Sequence, residues 1–323
     1  MTDNPVLSII ITSYSLDRLK DSCEVLESIK AQTCPDTETI FVVEKSPGLL
    51  RKIENYVAEN DIPRTHVIFN DGVEGMSAAR NLGIENTRGR IIAFVDDDSI
   101  LPLRWAEEMV RTYEDGSIIG VSGIIKPLWE DDGMDWFPEE LDWLLGCSRF
   151  SGISEMVEIR NVWGANMSFR KEAFEAAGVF SSGIGAIQGK RLHGEELELS
   201  LRVKRKTKKR IVCNPAVWAY HKVYRRRFGP RWIAQSSYWI GYTRHLMKSL
   251  YPDREGSGEI LRVEFQLLKR IFTRLLPAIL KGLFTRPGIA CRQFYGTTTA
   301  LTFVAFGYCS HFFSGIGNGK QSY

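Results

Sequence analysis

The chain reads as an α/β protein built on a mixed, mostly parallel sheet with flanking helices. Three observations predict it. Short β-branched runs recur at residues 7–11, 39–43, 66–69, 91–95 and 118–121. The segments between the early runs carry apolar residues at helical spacing. Strand and helix patterns alternate through the first half, the order that a parallel sheet with crossover helices produces.

The first run, Leu7-Ser8-Ile9-Ile10-Ile11, leads into Thr12-Ser13-Tyr14. Leu19, Cys23, Leu26 and Ile29 then recur three or four residues apart, which gives a helix one apolar face. The second run ends at Glu44, and Leu50, Ile53 and Val57 supply the inner face of the next helix. Ile91-Ile92-Ala93-Phe94-Val95, three of its five residues β-branched, reads as a buried strand and ends in Asp96-Asp97-Asp98. Ligands of such sheets bind outside the carboxyl ends of strands, near the point where strand order reverses. That rule gathers Thr12, Tyr14, Glu44 and the acidic triplet on one rim.

Three adjacent acids repel one another, and no cation stands near them in the sequence. A divalent cation with oxygen ligands relieves that repulsion and can hold phosphate oxygens as well. A solvated acidic turn, with Asp98 or Ser99 capping a helix that starts near Pro102, accounts for the same residues.

Residues 126–160 are irregular, rich in Trp, Asp and Gly, and predict no regular element. Order returns with Val162-Trp163-Gly164-Ala165-Asn166-Met167-Ser168-Phe169, a helix over 171–177, and another over 195–206 that ends in a basic run to Arg210. Cations suit a helix C-terminus. Strands over 211–213 and 216–219 close at Tyr220-His221.

The character then changes, which divides the chain into a domain over 1–227 and a helical region over 228–323. Leu261, Phe265, Leu268, Phe272, Leu275, Ile279 and Leu283 follow helical spacing, while Arg262, Lys269, Arg270, Arg274 and Lys281 lie off that face. This is a basic amphipathic helix, expected to be kinked or broken at Pro277. Residues 293–319 contain no Asp, Glu, Lys or Arg. Their number suits a bilayer, but Thr297-Thr298-Thr299 and several glycines make a poor spanning helix. The tail is expected to rest on or partly in a membrane; a helical cap on the preceding domain is the alternative.

At 323 residues the chain suits one large domain with an appendage, or two domains. A net charge of +3 is too small to point to nucleic acid, and no nucleic-acid partner is expected. Six cysteines without a C-x-x-C pair or zinc-like spacing read as reduced thiols in a cytosolic setting. No basic run precedes the short apolar stretch near the N-terminus, so no export signal is expected.

Six pieces, taken in order, resemble the inverting GT-A glycosyltransferases of family 2. They are Ile9-Ile10-Ile11-Thr12-Ser13-Tyr14, Val42-Val43-Glu44, Gly75-Met76-Ser77-Ala78-Ala79-Arg80-Asn81-x-Gly83, the acidic triplet, Gly164-Ala165-Asn166-Met167-Ser168-Phe169-Arg170, and Gly194-Glu195-Glu196-Leu197-Glu198-Leu199-Ser200-Leu201-Arg202. The resemblance implies the nucleotide-diphospho-sugar transferase fold. It implies that Thr12 and Tyr14 hold the nucleobase and ribose of a nucleotide sugar. Glu44, where many relatives have Asp, would accept a base N–H, and Arg80 would contact the nucleotide or brace the acidic rim. Asp96 and Asp98 match the D-x-D pattern, with Asp97 in its variable middle, at the nucleotide sugar.

Asp98 is the implied ligand of Mn²⁺ or Mg²⁺. Asp96 supports that ion or faces the ribose, and His221 resembles the histidine that completes the metal site in many relatives. Glu196 aligns with the catalytic base, in a Glu195-Glu196 pair where the family usually has Glu-Asp. Trp163 and Asn166 would line the sugar or acceptor pocket. Taken as residues alone, Thr12 and Tyr14 are also a plain strand end, Arg80 a surface arginine and His221 a structural histidine. Glu195, Glu196 and Glu198 are also an acidic first turn that complements a helix dipole.

The resemblance therefore implies a metal-dependent inverting hexosyltransferase. Its donor is expected to be a UDP-sugar, and its acceptor a hydroxyl of a polyprenyl- or dolichyl-phosphate-linked glycan. Similar enzymes extend lipid-linked glycans for protein N-glycosylation or surface polysaccharide. The expected location is the cytoplasmic face of the cell membrane, peripheral or anchored by the tail. A sugar-phosphate nucleotidyltransferase would need a Gly-rich phosphate loop after the first strand, and Thr12-Ser13-Tyr14-Ser15-Leu16 is not one. A non-catalytic membrane scaffold on the same fold has no need of the triplet or Glu196.

Overall fold

A computed structural model describes residues 4–34, 36–182, 184, 186–187, 190–251 and 260–317. The chain forms two compact units, one of Met1–Leu128, Gly152–Gly189 and Glu195–Lys222, the other of Trp129–Ser151, Lys190–Gly194 and Val223–Tyr323. In chain order the strands are β1 (Leu7–Ser13), β2 (Thr37–Glu44), β3 (Thr65–Asn70), β4 (Ile91–Asp96), β5 (Ser99–Ile100), β6 (Ile118–Ser122) and β7 (Ile125–Trp129). They continue with β8 (Val157–Glu158), β9 (Asn166–Arg170), β10 (Ala186–Ile187), β11 (Lys190–Arg191), β12 (Arg210–Cys213) and β13 (Ala219–Val223). The helices are α1 (Leu19–Lys30), α2 (Pro47–Glu59), α3 (Met76–Glu85), α4 (Trp105–Thr112) and α5 (Lys171–Ala177). After them come α6 (Glu195–Thr207), α7 (Pro230–Leu250), α8 (Arg262–Arg270), α9 (Leu276–Thr285) and α10 (Pro287–Gly317).

The first unit is organised by one sheet in the order β3-β2-β1-β4-β9-β6-β12-β8. β1 pairs in parallel with β2 and β4, and β2 with β3. β9 runs antiparallel to both β4 and β6, which makes the sheet mixed. Strands joined through α1, α2 and α3 emerge parallel because each crossover returns the chain to the same end of the sheet. Strand order reverses between β1 and β4, and there Thr12 stands opposite Asp96.

The apolar runs are continuous because both faces of the sheet are covered. Leu7, Ile9 and Ile11 of β1 share a cluster with Val25 of α1, Ile53 of α2 and Trp105 of α4. Ile10 belongs to the opposite cluster, with Ala79 of α3, Phe174 of α5 and Val203 of α6. β2 and β4 divide their odd and even residues in the same way, the period of two that a strand imposes. Each fully buried side chain of this size contributes about 1.5–3 kcal/mol. A Cβ on Gly83 would stand 2.6 Å from Ile10 Cγ2, so α3 lies with its backbone against β1.

Two local expectations shift. Neither Asp98 nor Ser99 caps a helix: Ser99 begins β5, and α4 starts only at Trp105. The strand expected over 216–219 instead begins at Ala219, because Asn214 closes a turn first. Its side-chain oxygen accepts the N–H of Ala216 (2.9 Å) and its carbonyl that of Val217 (3.0 Å).

In the second unit α7 packs against α10 through reciprocal glycine contacts. A Cβ on Gly241 would meet the carbonyl oxygen of Val304 at 2.0 Å, and one on Gly307 that of Tyr238 at 1.9 Å. Tyr238 and Ser310 hydroxyls bond across the pair at 2.9 Å. Pro277 sits in the first turn of α9, and the irregularity precedes it, as a π-helical turn over Ile271–Leu275. The Leu276 N–H bonds five residues back to Ile271. The wider turn accommodates a ring that has no N–H and crowds the carbonyl four residues earlier. No helix among the described residues is long and apolar enough to cross a membrane.

Gly241→Ala and Gly307→Ala are each expected to cost about 1–3 kcal/mol, because the added methyl meets backbone that cannot yield. Gly116→Ala, with nothing within 4 Å of its Cβ, is the control. Chemical denaturation of the three variants checks this, and equal stability in all of them would refute the glycine contact.

Candidate active site

The rim is assembled at the carboxyl ends of β1, β2 and β4. Thr12 is half-buried between Val42 and Asp96, and Tyr14, just past the end of β1, is 61% exposed. Glu44 closes β2 and accepts the backbone N–H of Gly75 at 2.5 Å. Burial pushes the Glu44 carboxyl up, and the Gly75 N–H offsets only part of that. Gly75 has φ 129°, a conformation open to glycine, and the turn it makes starts α3.

α3 carries three side chains that organise the site. The Asn81 amide donates to the carbonyl of Phe180 (2.9 Å) and accepts its N–H (3.0 Å), and Ser77 donates to the carbonyl of Ile184 (2.8 Å). Phe180, fixed this way, lies under the Arg80 guanidinium, 5.5 Å from ring centre to Cζ. Arg80 is buried; its Nη1 donates to Glu195 at 3.0 Å and its Nη2 to Asp96 Oδ1 at 3.5 Å. It therefore braces the acidic rim and ties it to the first turn of α6.

The triplet diverges. Asp96 is half-buried, while Asp97 and Asp98 are buried. Asp97 accepts from Ser13 (2.5 Å) and from Arg18, so its carboxylate is engaged beneath the rim. Burial pushes the Asp97 carboxyl up to about 7 despite the pull of Arg18. Arg18 also reaches Asp98 Oδ2 at 3.2 Å, and its Cζ lies 5.4 Å from the ring centre of Tyr14. The cation absent from the neighbouring sequence is thus delivered from the turn between β1 and α1.

His221 arrives from β13, which pairs antiparallel with β5 so that His221 faces Ser99. Its Nε2 lies 3.1 Å from Asp98 Oδ1. Lys222 turns away to Asp21 (2.8 Å) and Glu24 of α1.

Glu195, buried, and Glu196, half-buried, open α6 directly after Gly194, another glycine at φ 129°. Trp163 is half-buried and donates its backbone N–H to Ser122 at 3.0 Å. Asn166 does not reach a pocket wall. It is fully buried, accepting from the Trp105 indole (2.9 Å) and donating to the Val217 carbonyl (2.8 Å), and that pairing consumes its amide inside the core.

Asp96, Asp98 and His221 each offer a ligand atom within 4.8 Å of the others. Two carboxylates and an imidazole fit a divalent cation such as Mn²⁺ or Mg²⁺. The charges agree. With all acids ionised, the carboxylates of Asp96, Asp97, Asp98 and Glu195 outnumber the guanidiniums of Arg18 and Arg80 that hold them by two negative charges.

The profile of glycosyl transferase family 2 matches residues 8–178. Over 304 residues, 94% of this chain and 95% of the other, the chain is 28% identical to the glucosyl-dolichyl phosphate glucuronosyltransferase of Haloferax volcanii. It is 26% identical to the glycosyltransferase AglE of the same organism over 178 residues, 54% of this chain and 56% of that one. The mannosyltransferase PcManGT of Pyrobaculum calidifontis, solved with GDP-Man and Mn²⁺, superimposes with a TM-score of 0.65 at 15% identity. That likeness covers 97% of this chain and 88% of the other, and is one of fold. The chain belongs to glycosyl transferase family 2 and is a glycosyltransferase.

Asp98→Asn and His221→Ala are each expected to weaken Mn²⁺ binding by about tenfold or more. Titration of free Mn²⁺ by its electron paramagnetic resonance signal checks this; undiminished binding in both variants would dismiss the cluster as a metal site.

Proposed function

We propose that this glycosyltransferase carries out a metal-dependent, inverting transfer from a nucleotide sugar to a hydroxyl of a dolichyl-phosphate-linked acceptor. The observation that carries the reading is the convergence of Asp96, Asp98 and His221 on the rim that Arg80 ties to α6. Near full-length likeness to a glucosyl-dolichyl phosphate glucuronosyltransferase makes UDP-glucuronate the first donor to test and glucosyl-dolichyl phosphate the first acceptor. Glu44 supports a base that presents an N–H, as uracil does, because a carboxylate can only accept.

Thr12, Tyr14 and Glu44 would hold the nucleoside, leaving the diphosphate toward the acidic rim. A bound Mn²⁺ or Mg²⁺, held by Asp96, Asp98 and His221, would neutralise phosphate charge. Glu196 would take the proton of the acceptor hydroxyl as its oxygen bonds to the anomeric carbon. The bond from that carbon to the diphosphate breaks on the opposite face, so one displacement inverts the anomeric configuration. Glu195, held by Arg80, would keep the α6 turn in place and leave the base role to Glu196. Trp163 would present its ring to the sugar or the acceptor.

We further propose that the protein works peripherally at the cytoplasmic face of a membrane. Phe272, Leu280, Phe284, Phe306 and Phe313 are exposed in the second unit, Phe284 by 90%. The exposed cations Arg274, Lys281, Arg286 and Arg292 accompany them, a combination that suits an anionic lipid surface.

Two outcomes test the reading. Glu196→Gln is expected to lower kcat by about 10²–10⁴-fold while nucleotide affinity stays within a factor of about two. Transfer of label from UDP-glucuronate to glucosyl-dolichyl phosphate measures the first and calorimetry the second; near-normal turnover in the variant would remove Glu196 from the mechanism. Separately, sedimentation with phosphatidylglycerol-containing vesicles should exceed that with neutral phosphatidylcholine vesicles. Phe284→Asp combined with Phe306→Asp should abolish the excess, and equal sedimentation of wild type and variant would reject the lipid surface.

A further inference from the structure

Arg18 is the one cation bound to Asp97 among the described residues, and its guanidinium is only partly used. All its hydrogen bonds run from Nη1, to Asp97 and to Asp98 Oδ2. Nε and Nη2 make no hydrogen bond among the described residues, although the side chain is only 16% exposed. Neither nitrogen is among the buried polar atoms left without a partner, so both reach solvent at the rim and are open to a ligand. They are retained here a short distance from Tyr14, whose ring centre lies 5.4 Å from Cζ. Asp97 explains why the group stays put. It is buried, is held by Ser13, and anchors Nη1 from below, so the guanidinium needs no rearrangement before it meets a ligand.

We infer that Arg18 is a donor-binding residue: it holds the Asp98 carboxylate with Nη1 and offers Nε–H and Nη2–H to the diphosphate of the nucleotide sugar. This rests on the nucleotide-sugar reading of the same rim. The chemistry fits the position. A guanidinium presents a planar fork that matches phosphate oxygens, and its fixed charge persists at every working pH. Because one oxygen of Asp98 is taken by Arg18, the other, 3.1 Å from His221, is the one directed at the metal-ligand cluster. Arg18 would then reach the diphosphate without competing with a bound cation for the same Asp98 oxygen. Arg80 does not duplicate this role, since its two terminal nitrogens are already engaged with Glu195 and Asp96.

The test uses the full-length protein in EDTA, so that affinity does not run through a metal. Calorimetry compares UDP with uridine, and GDP with guanosine, for wild type, Arg18→Met and Arg18→Lys. Wild type should favour the preferred diphosphate over its nucleoside by at least about tenfold, and Arg18→Met should erase most of that preference while leaving nucleoside affinity unchanged. Arg18→Lys keeps a charge against Asp97 and Asp98 but lacks the fork. It should recover the melting temperature of wild type and only a minor part of the diphosphate preference, and it carries the test if Arg18→Met does not fold. Equal loss of nucleoside and diphosphate affinity would reduce Arg18 to a structural ion pair and overturn the inference. So would an unchanged preference in both variants. If wild type with Mn²⁺ present binds neither diphosphate, the nucleotide-sugar reading itself falls, and Arg18 with it.

Discussion

Asp96, Asp97 and Asp98 meet solvent at the end of a buried strand, and two of the three are almost fully enclosed. Carboxylates withdrawn from water must be paired or neutralised, since an unpaired buried charge costs several kcal/mol. Much of the first unit can be understood as meeting that demand. Arg18 comes from the turn after β1, Arg80 from α3, His221 from β13, and each is held by its own supports: Tyr14 beside Arg18, Phe180 and Asn81 around Arg80, and Ser99 opposite His221. With all acids ionised, two negative charges remain in excess at this rim.

The same arrangement separates two roles within one run of identical residues. Asp97 faces Ser13 and Arg18 below the rim, whereas Asp96 and Asp98 contribute oxygens to the cluster with His221. Alternation along the chain end sends the middle residue to the opposite side from its neighbours. The α6 pair behaves likewise: Glu195 is committed to Arg80, and Glu196 beside it is less buried. Of the two, Glu196 is the carboxylate left nearer solvent.

The motif around Arg80 illustrates how far a sequence pattern can be read physically. Gly75 supplies a positive φ, Ser77 and Asn81 pin the chain around Phe180, and Gly83 lets the helix lie on β1. Each residue type is accounted for by a contact, yet none of those contacts could be inferred from spacing alone. Asn166 shows the opposite outcome. The pattern that suggested a pocket wall at Asn166 belongs to a buried brace between Trp105 and Val217.

By itself the sequence determined what depends on local period and composition. Continuous β-branched runs encode strands covered on both faces, spacings of three and four encode the helices between them, and the order of these elements implies parallel pairing with the acids at the carboxyl ends. The tertiary structure decided which charges meet. Arg18 lies 79 residues from Asp97, and His221 lies far beyond Asp98; they converge because β1 stands beside β4 and because the short strand β5 captures β13. Partner choice among ionised side chains is settled by distances through space, and those exist only once the sheet has set its strand order and register.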